Sequence, residues 1–125
     1  MTIMYQAQTM QFSNIGCELT RDTLIMSGSN GSNSFLLALP VSQIQSATYN
    51  FNSQSGKFYI YDSQNYVVAQ ASGADINLSV AINPDGTLGG VIVGDLLDAP
   101  YSPPGNGNVQ GNFTKVSVYV APGSQ

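Results

Sequence analysis

Apolar and polar residues alternate one by one from Ile76 to Ile82, with Ile76, Leu78, Val80 and Ile82 set against Asn77, Ser79 and Ala81. A period of two sends successive side chains to opposite faces of an extended strand, whereas a helix would need apolar residues three and four apart. Asn83-Pro84-Asp85-Gly86 follows, and the chain returns in a second strand from Thr87 to Val93. Proline at the second turn position presets φ, and glycine accepts the positive φ that completes a hairpin loop. Similar short alternating runs, broken by Gly, Asn, Ser, Asp and Pro, recur along the chain at intervals of about ten residues, and helical periodicity is absent. The pattern predicts an all-β fold, a single-domain antiparallel β-sandwich or closed β-barrel of about eight or nine strands spanning residues 1–125.

The individual runs are read as follows. Ile3 to Phe12 forms a first strand, and Cys17 to Leu19 pairs with Leu24 to Met26 around the polar turn Thr20-Arg21-Asp22-Thr23. Phe35 to Leu39 is continuously apolar, so it is a strand covered on both faces or one flanked by a bend, and Pro40 ends it. Ala47, Tyr49 and Phe51 point inward; Phe58 to Tyr61 and Tyr66 to Ala71 are joined by the turn Asp62-Ser63-Gln64-Asn65. Gly89-Gly90 marks a bulge or a close approach of another backbone, and Val109 to Val120 is the last strand, with unpaired edges. Between them, residues 94–112 read as a helical turn at Asp95-Leu96-Leu97-Asp98, a proline-stiffened stretch around Tyr101 and a slack tip at Gly105-Asn106-Gly107-Asn108. The stretch Ile82 to Gly90, INPDGTLGG, resembles the hairpins of avidin-like and other small β-barrels. Avidin-like biotin pockets depend on tryptophan, which this chain lacks, so no site is carried across.

Charge narrows the function. Only 8% of the residues are charged, against about 25% in a typical soluble domain. Three separated cations, Arg21, Lys57 and Lys115, cannot neutralise a run of phosphates or hold an anionic membrane surface, so no nucleic-acid partner is expected. No apolar run approaches the ~18 residues of a membrane helix, and Met1 to Gln6 lacks the basic and apolar regions of a signal peptide. The surface left to Ser, Thr, Asn, Gln and Gly suits neutral polar partners or further copies of the chain in a homo-oligomer, as on an extracellular, virion or cell surface.

Histidine is absent, which removes the usual general base and the usual zinc ligand; the chain is expected to be no enzyme and to hold neither metal nor cofactor. Glu18 with Asp22, and Asp95 with Asp98, are the carboxylate pairs to test for glycoside hydrolysis, and both lie by turns. Asp62, Asp75, Asp85, Asp95 and Asp98 offer hard oxygens but lack the spacing of a calcium loop. The lone Cys17 sits in an apolar alternation and reads as a buried, inert thiol.

Tyrosine points the other way. Alternation puts Phe58 and Ile60 on one side of a strand and Tyr59 and Tyr61 on the other, beside Asp62 and Asn65, while Asp98 and Tyr101 lie in the long connection. A flat apolar ring with a polar tip, set among amides and carboxylates, matches the apolar face and hydroxyl rim of a sugar. The expected function is therefore a non-catalytic recognition module that binds a glycan or other neutral polar ligand through loop ends of a sandwich, with Tyr59, Tyr61, Asp62, Asn65, Asp98 and Tyr101 as candidate ligand-binding residues. The alternatives are a self-assembling structural subunit of a coat, decoration or fibre, and a small membrane-active toxin that inserts the hairpin Ile76 to Val93.

Overall fold

The computed structural model describes residues 1–6, 8–98 and 105–121. Its strands are β1 (Thr2–Tyr5), β2 (Gln8–Gln11), β3 (Ile15–Leu19), β4 (Leu24–Ser29), β5 (Ser34–Leu39), β6 (Ala47–Phe51), β7 (Lys57–Tyr61), β8 (Val67–Ala71), β9 (Ile76–Ile82), β10 (Leu88–Asp98), β11 (Gly105–Val116) and β12 (Tyr119–Val120). Among the described residues no helix is long and apolar enough to cross a membrane.

All twelve strands share one hydrogen-bonded sheet, which folds over on itself into two leaves. The front leaf runs β12-β3-β4-β5-β7-β8 and the back leaf β6-β9-β10-β11-β1-β2. The fold line is β10, which pairs with β9 from Leu88 to Val93 and with β8 from Leu96 to Asp98 along the same edge. Gly94 stands where the partner changes, and a Cβ there would lie 3.0 Å from the Ile76 Cα. Between the leaves lies one core, to which the front leaf gives Leu37, Phe58 and Ile60, and the back leaf Leu78, Ile92 and Phe113. The Phe12 ring meets Phe35 of the opposite leaf edge-on, centroids 5.0 Å apart. Each such burial contributes about 1.5–3 kcal/mol.

The sheet is not closed, since β12 and β2 end it; the architecture is the sandwich and not the barrel. Side chains tie the β2 edge to the front leaf: Asn30 Nδ2 donates to the Gln11 carbonyl at 3.1 Å and Gln8 Nε2 to Asn33 Oδ1 at 3.3 Å. The strand number exceeds the expected eight or nine partly because two expected strands are each broken. In Ile3 to Phe12 the buried positions pass from odd (Ile3, Tyr5) to even (Met10, Phe12), which a straight strand cannot do. The chain turns instead at Gln6, φ 54°, into the β1–β2 hairpin. The run Val109 to Val120 breaks near Lys115, φ 51°. Beyond it β12 lies parallel to β3, so the sheet is mixed where antiparallel pairing was expected throughout. β11 is paired along one edge with β10 and, from Val109 to Asn112, along the other with β1, while β12 ends the sheet with one edge open.

The reading of residues 94–112 needs two corrections. Asp95 to Asp98 is strand and not a helical turn, with Leu96 fully buried and Asp95 exposed. Gly105 to Asn108 is no slack tip but the start of β11, in register with Asp98 to Asp95. Its glycine serves packing: a Cβ on Gly107 would come within 2.7 Å of the Tyr5 ring. Tyr101 and its neighbouring prolines lie outside the described residues.

The turn readings fare better. Gly86 has φ 88°, its N–H donates to the Asn83 carbonyl at 2.9 Å, and Asp85 Oδ1 accepts from Thr87 N and Thr87 Oγ1 at 3.0 and 2.6 Å. The register slips between Leu88 and Gly90, and a Cβ on Gly90 would overlap the Ser79 carbonyl, so bulge and close approach coincide. Cys17 is buried, and burial pushes its thiol pKa up to about 11.

Candidate functional site

Strand β7 places Phe58 and Ile60 in the core, each 1% exposed, and sends Tyr59 and Tyr61 to the outer face of the front leaf. Their ring centroids lie 6.0 Å apart with planes tilted by 39°. Two residues along a strand span about 6.6 Å, so the pair forms a two-ring platform set by backbone geometry alone. Burial first, and the neighbouring Tyr59 second, raise the Tyr61 pKa. Its phenol therefore stays protonated at neutral pH, able both to donate and to accept.

Beside the platform the strand register lines up outward residues in rows. Gly16, Ser27, Leu36, Tyr59, Gln70 and Leu97 form one row across six strands, from β3 to β10. Tyr119, Glu18, Ile25, Ala38 and Lys57 form the next. Ile25, Leu36 and Ala38 floor a depression of about 490 Å³ whose rim includes Thr23, Ser53, Gln54 and Ser55.

The rim loop is built to hold its shape. Asn52 Oδ1 accepts from Gln54 N at 2.9 Å, the Asn52 carbonyl accepts from Ser55 N and Gly56 N, and Asn52 N donates to Ser55 Oγ. Ser53 N is anchored on the Ser72 carbonyl at 2.8 Å, and Asn52 Nδ2 reaches Asp75 Oδ1. At Gly56 a Cβ would sit 2.7 Å from the Phe51 ring and 3.0 Å from the Ala38 carbonyl, so only glycine lets the loop press this close to the end of β5. With the N–H groups from Asn52 to Gly56 all engaged, the loop leaves the side chains of Ser53, Gln54 and Ser55 exposed.

The expected site residues divide into three groups. Tyr59 and Tyr61 stand together on the front face. Asp62 and Asn65 build the adjoining β7–β8 turn: Asp62 Oδ1 accepts from Gln64 N and Tyr66 N at 2.9 and 3.0 Å, and Asn65 takes a left-handed φ of 65°. Asp98 ends β10, its backbone paired with Ala69 of β8, and Tyr101 lies outside the described residues. Tyr59 and Tyr61 thus stand on the sheet face at the end of β7 that runs into the β7–β8 turn. Sequence reasoning missed the floor of Leu36 and Ala38, although the unbroken run from Phe35 to Leu39 signalled it. Phe35, Leu37 and Leu39 take the core, which leaves the two intervening apolar residues half-buried outside.

The back leaf is chemically different. Its outward rows are Thr48, Ser79, Val91, Asn112, Thr2 and Gln11, then Asn50, Asn77, Val93, Gln110, Met4 and Thr9, with neither a charge nor an aromatic ring among them. The hairpin considered for membrane insertion keeps Ile76, Leu78 and Val80 in the core. No three His, Cys, Asp or Glu side chains converge among the described residues. No protein-family model matches the sequence, and neither a curated protein nor a solved structure matches the chain.

Proposed function

We propose that this chain is a non-catalytic recognition domain that binds a neutral glycan on the outer face of its front leaf. The observation that carries the reading is the Tyr59–Tyr61 platform adjoining an apolar floor of Ile25, Leu36 and Ala38 under a rim of uncharged hydroxyl and amide groups. A pyranose presents an apolar C–H face and a periphery of hydroxyls. The first matches tyrosine rings and aliphatic floor, the second Ser53, Gln54, Gln70 and the two phenols. A rim fixed by its own hydrogen bonds loses little freedom on binding, which favours affinity from a shallow site.

An array of neutral oligosaccharides followed by calorimetric titration tests the reading. Binding is expected, with Tyr59→Ala weakening it about tenfold, the scale of one aromatic contact, and Tyr61→Phe weakening it less. An array on which no sugar is retained sinks the proposal.

A second reading, self-assembly, draws on the two uncharged outward rows of the back leaf, where Met4, Val91 and Val93 are exposed by 42%, 48% and 38%. Neutral faces lack the repulsion that keeps copies apart. Light scattering that finds only monomer over a wide concentration range removes it.

A further inference from the structure

Resting on the glycan reading, we infer that the front leaf takes a linear, neutral oligosaccharide laid across its strands, with Tyr119 as a second stacking platform at the far end of the track. Three recesses tile the outer face. The central one, about 490 Å³, shares Ser53, Gly56 and Lys57 with a smaller recess of about 130 Å³ against Tyr59 and Gln70. On its other side it shares Ile25 with a recess of about 350 Å³ bounded by Glu18, Ser27 and Tyr119. The shared residues make the three recesses neighbours along the two cross-strand rows. Four strand steps separate Tyr119 on β12 from Tyr59 on β7, about 19 Å at ~4.8 Å each. That length holds several linked pyranose rings and exceeds any single one.

Two details point the same way. Tyr119 is 59% exposed on a two-residue edge strand, a large ring left in solvent at the mouth of a recess. Gly16 lines the same recess, and a Cβ built on it would meet nothing closer than Ser27 Oγ at 3.8 Å. Glycine costs a strand about 0.5–1 kcal/mol relative to alanine, and here packing does not require it, whereas an open track does.

The direction of the track also selects the ligand. An extended peptide adds to a sheet at its edge through main-chain hydrogen bonds, but this track crosses strands whose backbones are already paired. Recognition must run through side chains alone, to C–H faces and hydroxyls. Glu18 and Lys57 are the only charges in the two rows, one of each sign, so no run of phosphates or sulfates is matched, while each can hydrogen-bond sugar hydroxyls.

The test is a length series, from monosaccharide to hexamer, of cello-, malto-, manno- and chito-oligosaccharides titrated calorimetrically into the full chain. In the series that binds, affinity is expected to rise at least about tenfold from dimer to tetramer or pentamer and then level off. Tyr119→Ala and Gly16→Val are both surface changes that the fold accommodates. Each is expected to abolish that gain while leaving dimer affinity unchanged, and Tyr119→Phe to keep it. Affinity independent of length, or a gain that survives Tyr119→Ala, overturns the track but leaves the Tyr59–Tyr61 site standing. Binding of no member of any series overturns both.

Discussion

Leu36 and Val91 occupy equivalent places on opposite sides of the sandwich, each an aliphatic side chain within an outward cross-strand row. Leu36 is half-buried between Ser27 and Tyr59, with the rim loop rising beside its row. Val91 is 48% exposed among Ser79 and Asn112. The same strand geometry therefore yields a recessed aromatic surface on one leaf and two uncharged, non-aromatic rows on the other. The difference comes from what borders each row. The front leaf is bounded by the self-bonded loop 52–56 and carries Tyr59, Tyr61 and Tyr119, whereas the back rows draw only on Thr, Ser, Asn, Gln, Val and Met.

Two glycines give the sharpest way to break the comparison. Gly90→Ala would drive a methyl group into the Ser79 carbonyl and the Phe113 ring, and is expected to cost about 1–3 kcal/mol or more, as overpacking does. Gly16→Ala meets open space on the front face and is expected to stabilise by about 0.5–1 kcal/mol. Urea denaturation of the two variants compares them directly, and equal effects would contradict the account of both glycines.

A charge placed in each row separates the faces functionally. Leu36→Lys is expected to weaken glycan binding at least about tenfold and Val91→Lys to change it less than about twofold, both by titration calorimetry. If Val91→Lys proves the more damaging, the ligand lies on the back leaf and the assignment of faces is reversed.

Smaller effects come from titration. Beneath the front leaf, Cys17 has its thiol pKa raised by burial from 9.0 to about 11, so the folded chain holds that proton more tightly than the unfolded one. The stability this confers is complete below 9.0 and is lost as pH rises towards about 11. Cys17→Ala is expected to flatten that alkaline decline in denaturation midpoints. The native thiol is expected to react with a disulfide reagent only on unfolding. On the back leaf, bonds from Thr87 hold the Asp85 carboxyl below the ordinary carboxylate range. The turn is therefore strongest above about pH 3.9 and weakens as pH falls through the lower folded value. Asp85→Asn is expected to lower thermal stability slightly at neutral pH and not at all in strong acid.

Much of this was legible in the residues. Period-two alternation put Phe58 and Ile60 on one side of the strand and Tyr59 and Tyr61 on the other, and the structure shows the first side to be the core. Asn83 to Gly86 and Asp62 to Asn65 identified their turns because proline, glycine, aspartate and asparagine act within a few residues of backbone. Glycine misled where its reason was distant. In Gly105 to Asn108 it signalled slack, but Gly107 is small because Tyr5, a hundred residues earlier, packs against it.

By itself, then, the sequence determined the all-β class, most of the turns and which residues of a strand share a side, since these follow from alternation and local backbone preference. Tertiary structure alone decided that β10 would serve two leaves, that β12 would return parallel to β3, and that Leu36, Tyr59 and Tyr119 would share one face. Those outcomes depend on register between strands far apart in the chain, and register is fixed only when a complete core of side chains fits together.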